Sequence, residues 1–304
     1  DTSHVTAFTK LLNDPNAKGD LAGLHVVAGF PGGSPDIASS RERIKGFTDT
    51  LRDKMQVEIV DSIPALLSKV DVVMLESVDG RPHLEQVRPV FAAGKPVYID
   101  KPLAASLADA IAIDELGKKY HVPWFSSSSL RYGPKLETAL HDPKLGKVIG
   151  AQTWGPSHLE ATHPDLYWYG VHSCELLYTV MGPGCETVQR THTPDTDVVT
   201  GVWKDGRVGT FRGLRSGKED YGVVLFGEKS VIPVTGFEGY EPLVIEIAKF
   251  FKTKKPPIDS AETIELFTFM EAADESKRQG GTPVELKTVF AKAKIEAMKK
   301  VNGN

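Results

Sequence analysis

Three kinds of side chain in this sequence stand where their chemistry could be used. Lys101 lies between Asp100 and Pro102, just past a short apolar run. In open α/β sheets ligands bind beyond the carboxyl ends of the strands, and an ammonium there can stabilise negative charge developing on a bound oxygen. His172 follows Trp168-Tyr169-Gly170-Val171 and opens an apolar stretch. Imidazole titrates near neutral pH and can exchange a proton with a hydroxyl, and Tyr169 is a second proton donor beside it. His83, ahead of a helical stretch, either faces a ligand or caps that helix.

The elements that must position these groups change character once along the chain. Residues 1–125 alternate helical and strand signals, the pattern of a parallel α/β sheet. Asp1-Thr2-Ser3 can cap a helix with Val5, Phe8, Leu11 and Leu12 on one face. Strands are expected at 24–30, 57–60, 70–75, 96–99 and 122–125, and helices at 36–51, 62–67, 82–93 and 106–120. The run VDVVML at 70–75 has the near-continuous apolarity of a strand buried on both faces. Past Ser126–Ser129 a helix at 134–141 precedes short alternating segments at 148–154, 187–192, 198–204, 208–214 and 221–227. Turns such as Lys204-Asp205-Gly206 separate them, which predicts one largely antiparallel sheet. Two amphipathic helices follow, one through Tyr240, Leu243, Ile247 and Phe250, the other through Ile264, Phe267 and Met270. Residues 292–304 read as a solvated, lysine-rich helix face. The expected division is 1–125 and 126–304.

Composition narrows the function classes. A net charge of −4 with 25% charged residues offers no basic surface for nucleic acid or an anionic membrane. No apolar run approaches the ~18 residues of a membrane span. The expected partner is a small molecule and the expected compartment the cytoplasm, with export left open. Cys174 and Cys185 are the only two cysteines and read as buried free thiols. No metal site is assigned.

The segment from Val70 to Leu103, VDVVMLESVDGRPHLEQVRPVFAAGKPVYIDKPL, is the most specific part of the sequence. With its loop His83, Ala92-Ala93-Gly94-Lys95 and Asp100-Lys101-Pro102, it resembles the second half of the dinucleotide domain in the Gfo/Idh/MocA oxidoreductase family. The likeness continues at Arg131-Tyr132, at Gly170-Val171-His172 and in the run from Glu271 to Val284. It implies an α/β chain: a Rossmann-type parallel sheet plus an α+β domain with a largely antiparallel, open-faced sheet. It also implies an NAD- or NADP-dependent oxidoreductase acting on a secondary alcohol of a sugar, polyol or related hydroxy compound. Lys101 would face the nicotinamide ribose and the substrate hydroxyl, with His172, or Tyr169, as acid/base. The cofactor contacts it suggests are Thr2, Ser3, His4, Ser34, Arg41, Ser77, His83, Asp100, Lys101 and Arg131. Relatives commonly pair through the sheet face, so a homo-oligomer is expected.

Four departures qualify that picture. The residues begin at a helix, without the preceding strand and glycine fingerprint, so the first strand of the cofactor sheet is expected to be missing. Phe30 stands where an acidic residue would take the ribose of NAD, while Ser34 with Arg41 or Arg43 could hold a 2′-phosphate, which leans toward NADP. Glu76 introduces a carboxylate near the pyrophosphate path. Trp168 replaces the family's aspartate four residues before the histidine, with Asp165 one turn earlier as a possible substitute. Two other readings stay open: glycoside cleavage or epimerisation through transient oxidation, and a degenerate ligand-binding member.

Overall fold

The computed structural model describes residues 1–303, so the last residue of the expected tail, Asn304, lies outside the described residues. The chain forms two compact units. The first comprises Asp1–Ala105, Ala112–Ser127 and Tyr240–Ser260; the second comprises Ser106–Ile111, Ser128–Gly239 and Ala261–Asn304.

The first unit opens with helix α1 (His4–Leu12), which buries Phe8 and Leu12 and has no strand before it. Strand β1 (Ala28–Gly29) follows, then α2 (Ala38–Arg41) and α3 (Ile44–Met55). The expected single helix at 36–51 is thus broken. The Arg43 amide bonds only three residues back, to Ser40, while its guanidinium Nε takes the Ser39 carbonyl at 2.5 Å. Next come β2 (Glu58–Ile59), α4 (Ile63–Leu67), β3 (Val73–Leu75), α5 (His83–Ala92), β4 (Val97–Ile99), α6 (Leu107–Tyr120, counted with this unit from Ala112 onward) and β5 (Trp124–Phe125). Ser62 caps α4 through the Ala65 amide, and Ser106 accepts the Asp109 amide at the start of α6.

All strand pairs of this unit are parallel, but they form two sheets, β1-β2 and β3-β4-β5. Glu58 and Val60 donate to the carbonyls of Val27 and Gly29, so those two residues face β2. Successive residues of a parallel ladder bond to opposite sides, so the backbone of Ala28 faces away from β2. By the same alternation Met74 faces away from β4, because Val73 donates to Pro96 and Leu75 accepts from Asp100. Among the described residues no strand joins these two edges. A cavity of about 570 Å³ is lined by both, with Val5 and Leu12 from α1 and Phe47 and Leu51 from α3. The Asn13 carboxamide covers part of the β1 edge, bonding both the amide (2.7 Å) and the carbonyl (3.0 Å) of Val26.

The second unit contains α7 (Pro134–Leu140), β6 (Val148–Pro156), a π-helical turn (Leu166–Gly170) and α8 (Val171–Met181). Strands β7 (Cys185–Thr193), β8 (Thr196–Trp203), β9 (Val208–Leu214), β10 (Gly222–Gly227) and β11 (Val231–Thr235) follow. Helix α9 (Glu241–Thr253) belongs to the first unit. The chain then returns through α10 (Ser260–Arg278), β12 (Val284–Glu285) and α11 (Leu286–Asn302). The sheet order is β11-β10-β6-β9-β8-β7-β12, antiparallel except for the parallel pair β6-β9. Packing moves α9 out of the expected 126–304 division. Phe250 meets Phe125 edge-on at 5.1 Å, and Tyr240 meets His4 at 4.8 Å. Cys174 and Cys185 are free and buried, and burial pushes the Cys185 thiol up to about 12.

Candidate active site

In the first unit the candidate residues gather at the carboxyl ends of β3 and β4. Asp100 ends β4 fully buried; it accepts the Lys101 amide at 2.9 Å and the His4 Nδ1 at 2.6 Å. Burial alone would raise its pKa, but the charge and hydrogen bond of His4, helped by Lys101, hold it at about 2. The Lys101–Pro102 peptide bond is cis. Burial lowers the Lys101 ammonium from its ordinary range, Asp100 opposes that, and Arg43 adds to it. A lysine that loses its proton more readily is suited to exchanging one with a bound oxygen.

Glu76, at the end of β3, resolves one difficulty raised by the sequence. Its Oε1 is buried without a hydrogen-bond partner. Burial first, and the nearby Asp100 second, push its pKa up to about 8, so the carboxyl is mostly neutral at pH 7. It therefore repels a phosphate little. Beside it, the Val78 amide donates to Asp1 Oδ1 at 2.8 Å and the Ser40 hydroxyl to Asp1 Oδ2. Both donors are satisfied by the chain's own Asp1 carboxylate, so a bound anion would have to take that carboxylate's place.

Other predicted contacts are engaged elsewhere. Ser34 donates to the buried Asp79 carboxylate at 2.6 Å, and Arg81 bridges Asp79 and Asp36. Arg41 is exposed and bonds the Pro35 carbonyl. This geometry gives the proposed 2′-phosphate cradle no prepared hydroxyl. His83 is fully buried with its nitrogens 3.1 and 3.0 Å from the carbonyls of Leu103 and Ser77, and burial lowers its pKa. It acts as a strut between two loops. Thr2 accepts the His4 amide, the Ser3 side chain caps nothing, and Ser77 donates to Gln86. Arg131 lies in the second unit, held by Glu175 (3.0 Å) and Glu262 (2.8 Å).

The second unit assembles a polar aromatic cluster around His172. The π-helical turn leads directly into α8, and such turns recur at functional sites. Tyr169 sits 6.0 Å from the His172 ring, Tyr221 5.8 Å from it, and His158 5.3 Å from Tyr169. Glu219 accepts from His158 Nε2 at 2.9 Å. Gly155 permits the closeness of Tyr221, since a Cβ there would come within 2.6 Å of that ring. His172 Nδ1 lies 2.8 Å from the Ser128 hydroxyl. The substitute expected for the missing aspartate is overturned, because Asp165 binds Arg190 and Lys277 instead. Nearby, Tyr167 is fully buried against Phe267 and Trp168 packs on His163. Sequence reasoning missed Ser128, His158, Glu219 and Tyr221. They come from three segments remote from His172 in sequence, and no local spacing links them to it.

Comparison with known proteins bears on the fold. Residues 37–127 match the family described as oxidoreductases with an NAD-binding Rossmann fold, GFO_IDH_MocA. No curated protein matches the sequence closely enough to count as a relative. Among solved structures, the chain is similar to the myo-inositol 2-dehydrogenase of Lactobacillus plantarum. The identity there is 13%, with 92% of this chain and 95% of that chain covered and a TM-score of 0.74. GenD2 of gentamicin A biosynthesis, solved with NAD, is 19% identical over 93% of both chains, with a TM-score of 0.71. The WlbA dehydrogenase of Bordetella pertussis, solved with NADH and UDP-GlcNAcA, is 16% identical, with 79% and 87% coverage and a TM-score of 0.66. At these identities the structures establish a shared fold.

Proposed function

We propose, from the premise that this chain belongs to the Gfo/Idh/MocA family of NAD-binding oxidoreductases, that it oxidises a secondary alcohol of a sugar, polyol or related hydroxy compound. The observation that carries this reading is the cluster of His172, Tyr169, Tyr221 and the His158–Glu219 pair. Hydroxyl-rich substrates need proton exchange at one oxygen and hydrogen bonds at several others, and this cluster supplies both kinds of group.

When bound, the nicotinamide dinucleotide accepts or returns the hydride. The chain does the rest. The Val78 amide and the Ser40 hydroxyl would hold the cofactor's anionic portion in place of the Asp1 carboxylate, with a protonated Glu76 adding no further negative charge there. Lys101 would steady negative charge on a bound oxygen, and His172 would exchange a proton with a substrate hydroxyl. NAD is favoured over NADP, because Ser34 is engaged by Asp79. Two copies would pair through the sheet, which leaves Ile149, Val202 and Val208 exposed.

The test is to titrate NAD and NADP calorimetrically and to assay nicotinamide reduction with inositols, free hexoses and nucleotide-linked sugars. His172→Asn should lower turnover by about 10²–10⁴-fold and Lys101→Ala by about 10²–10³-fold, with folding retained. Unchanged turnover in His172→Asn would remove the proposed acid/base. Absence of cofactor binding and of reduction across the panel would favour a ligand-binding role without redox chemistry. Sizing by light scattering tests the pairing.

A further inference from the structure

We infer that Ser128 is the residue that orients His172 and sets which of its ring nitrogens carries the proton; this rests on the proposed role of His172. Ser128 is 1% exposed and immediately precedes a 3₁₀ turn (Ser129–Tyr132). Its Oγ accepts the Leu130 amide at 3.3 Å and lies 2.8 Å from His172 Nδ1. Its own amide donates to Glu175 Oε2 at 2.7 Å. Glu175 is buried one turn beyond His172 on the same helix, and its other oxygen holds Arg131 Nε at 3.0 Å. Arg131 Nη2 in turn stands 2.8 Å from Glu262 on α10. The backbone of Ser128 is thus fixed by a charged relay of three side chains.

The identity of the orienting group matters chemically. A carboxylate only accepts, so it would stabilise the imidazolium and raise its proton affinity. A hydroxyl donates to a bare Nδ1, which favours the neutral ring with its proton on Nε2, and it still accepts from Nδ1–H once the ring is protonated. Trp168, in the position where the resemblance expects an aspartate, is packed on His163 and supplies no such group. The Tyr169 and Tyr221 rings also face this histidine, with the His158–Glu219 pair beyond Tyr169. Ser128 is therefore a positioning residue: it acts through His172.

The test reads the imidazole directly. The full chain, labelled with ¹⁵N-histidine, is followed by long-range ¹H–¹⁵N correlation over a pH series, and His172 is assigned by the signal lost in His172→Asn. The wild type should show one dominant neutral tautomer. Ser128→Ala should move the tautomer ratio by about tenfold, the value of one hydrogen bond, and Ser128→Thr, which keeps the hydroxyl, should restore it. Ser128→Asp should raise the midpoint of the His172 titration. If Ser128→Ala fails to fold, the threonine and aspartate variants carry the test. Identical tautomer ratios and midpoints in wild type, Ser128→Ala and Ser128→Asp would overturn the inference. Full turnover in His172→Asn would instead overturn the acid/base role and leave the spectroscopic result standing.

Discussion

The two units handle buried polarity in opposite ways. In the first, the sheet is in two pieces, and the edges at Ala28 and Met74 face a cavity of about 570 Å³. Its acidic groups there are controlled singly: Glu76 by burial, Asp100 by His4 and Lys101. In the second unit seven strands form one sheet. Its buried Arg190 binds Asp165, Asp197 and Asp274, and Asp197 also takes Arg215 and His192. Closed backbone pairing with a shared counter-ion gives a rigid frame for His172. An open edge with individually tuned carboxyls gives a region whose stability and charge depend on conditions.

Removing the shared cation should give the largest effect. Arg190→Ala would leave three carboxylates at the cluster, two of them buried, and should cost roughly 3–5 kcal/mol. Urea unfolding followed by tryptophan fluorescence would measure it, because Trp154, Trp168 and Trp203 all lie in the second unit. A loss below ~1 kcal/mol would break the comparison, since the cluster would then not hold the frame together.

Hydrogen exchange sharpens the contrast between the sheets. The amides of Ala28 and Met74, directed at the cavity, should exchange at least about a hundredfold faster than those of Val199 and Phe211, ~2.7 kcal/mol by the usual conversion. Equal protection would mean that the split sheet is closed in solution by other groups.

A smaller effect concerns pH. The folded pKa of Glu76, about 8, lies above its ordinary value of 4.5. The native state thus binds that proton more tightly, so its stabilising effect is complete below pH ~4.5 and is lost as pH rises through about 8. Thermal midpoints of the wild type should fall across that window, and Glu76→Gln should flatten the fall. Calorimetric affinity for NAD should weaken above pH 8 in the wild type and stay level in the variant. Parallel curves for the two proteins would show that Glu76 is not the group titrating.

The smallest effect is local. Ser62→Ala removes the cap of α4 and should cost about 1 kcal/mol by urea unfolding. A much larger loss would mean that the first unit unfolds from that helix.

Much of the framework was legible because its signals are local. Capping serines at 62 and 106, the apolar run ending in Leu75 and the turn at Lys204-Asp205-Gly206 each announce their element within a few residues. The expected strand at 24–30 shrank to Ala28–Gly29, because a strand extends only as far as a neighbour pairs with it. The site was legible in part: Lys101 and His172 stand out by their neighbours in sequence, while Ser34, His83 and Arg131 carry suitable side chains that the fold engages elsewhere.

The sequence by itself determined the alternation of elements, the lysine at a strand end and the histidine at a helix start, since periodicity, caps and strand ends are properties of neighbouring residues. Only the tertiary structure decided that burial raises the Glu76 pKa, that Asp165 serves Arg190, and that Ser128, 44 residues before His172, bonds its ring. Protonation and hydrogen-bond partnership depend on burial and on which distant segments meet, and no local pattern encodes either.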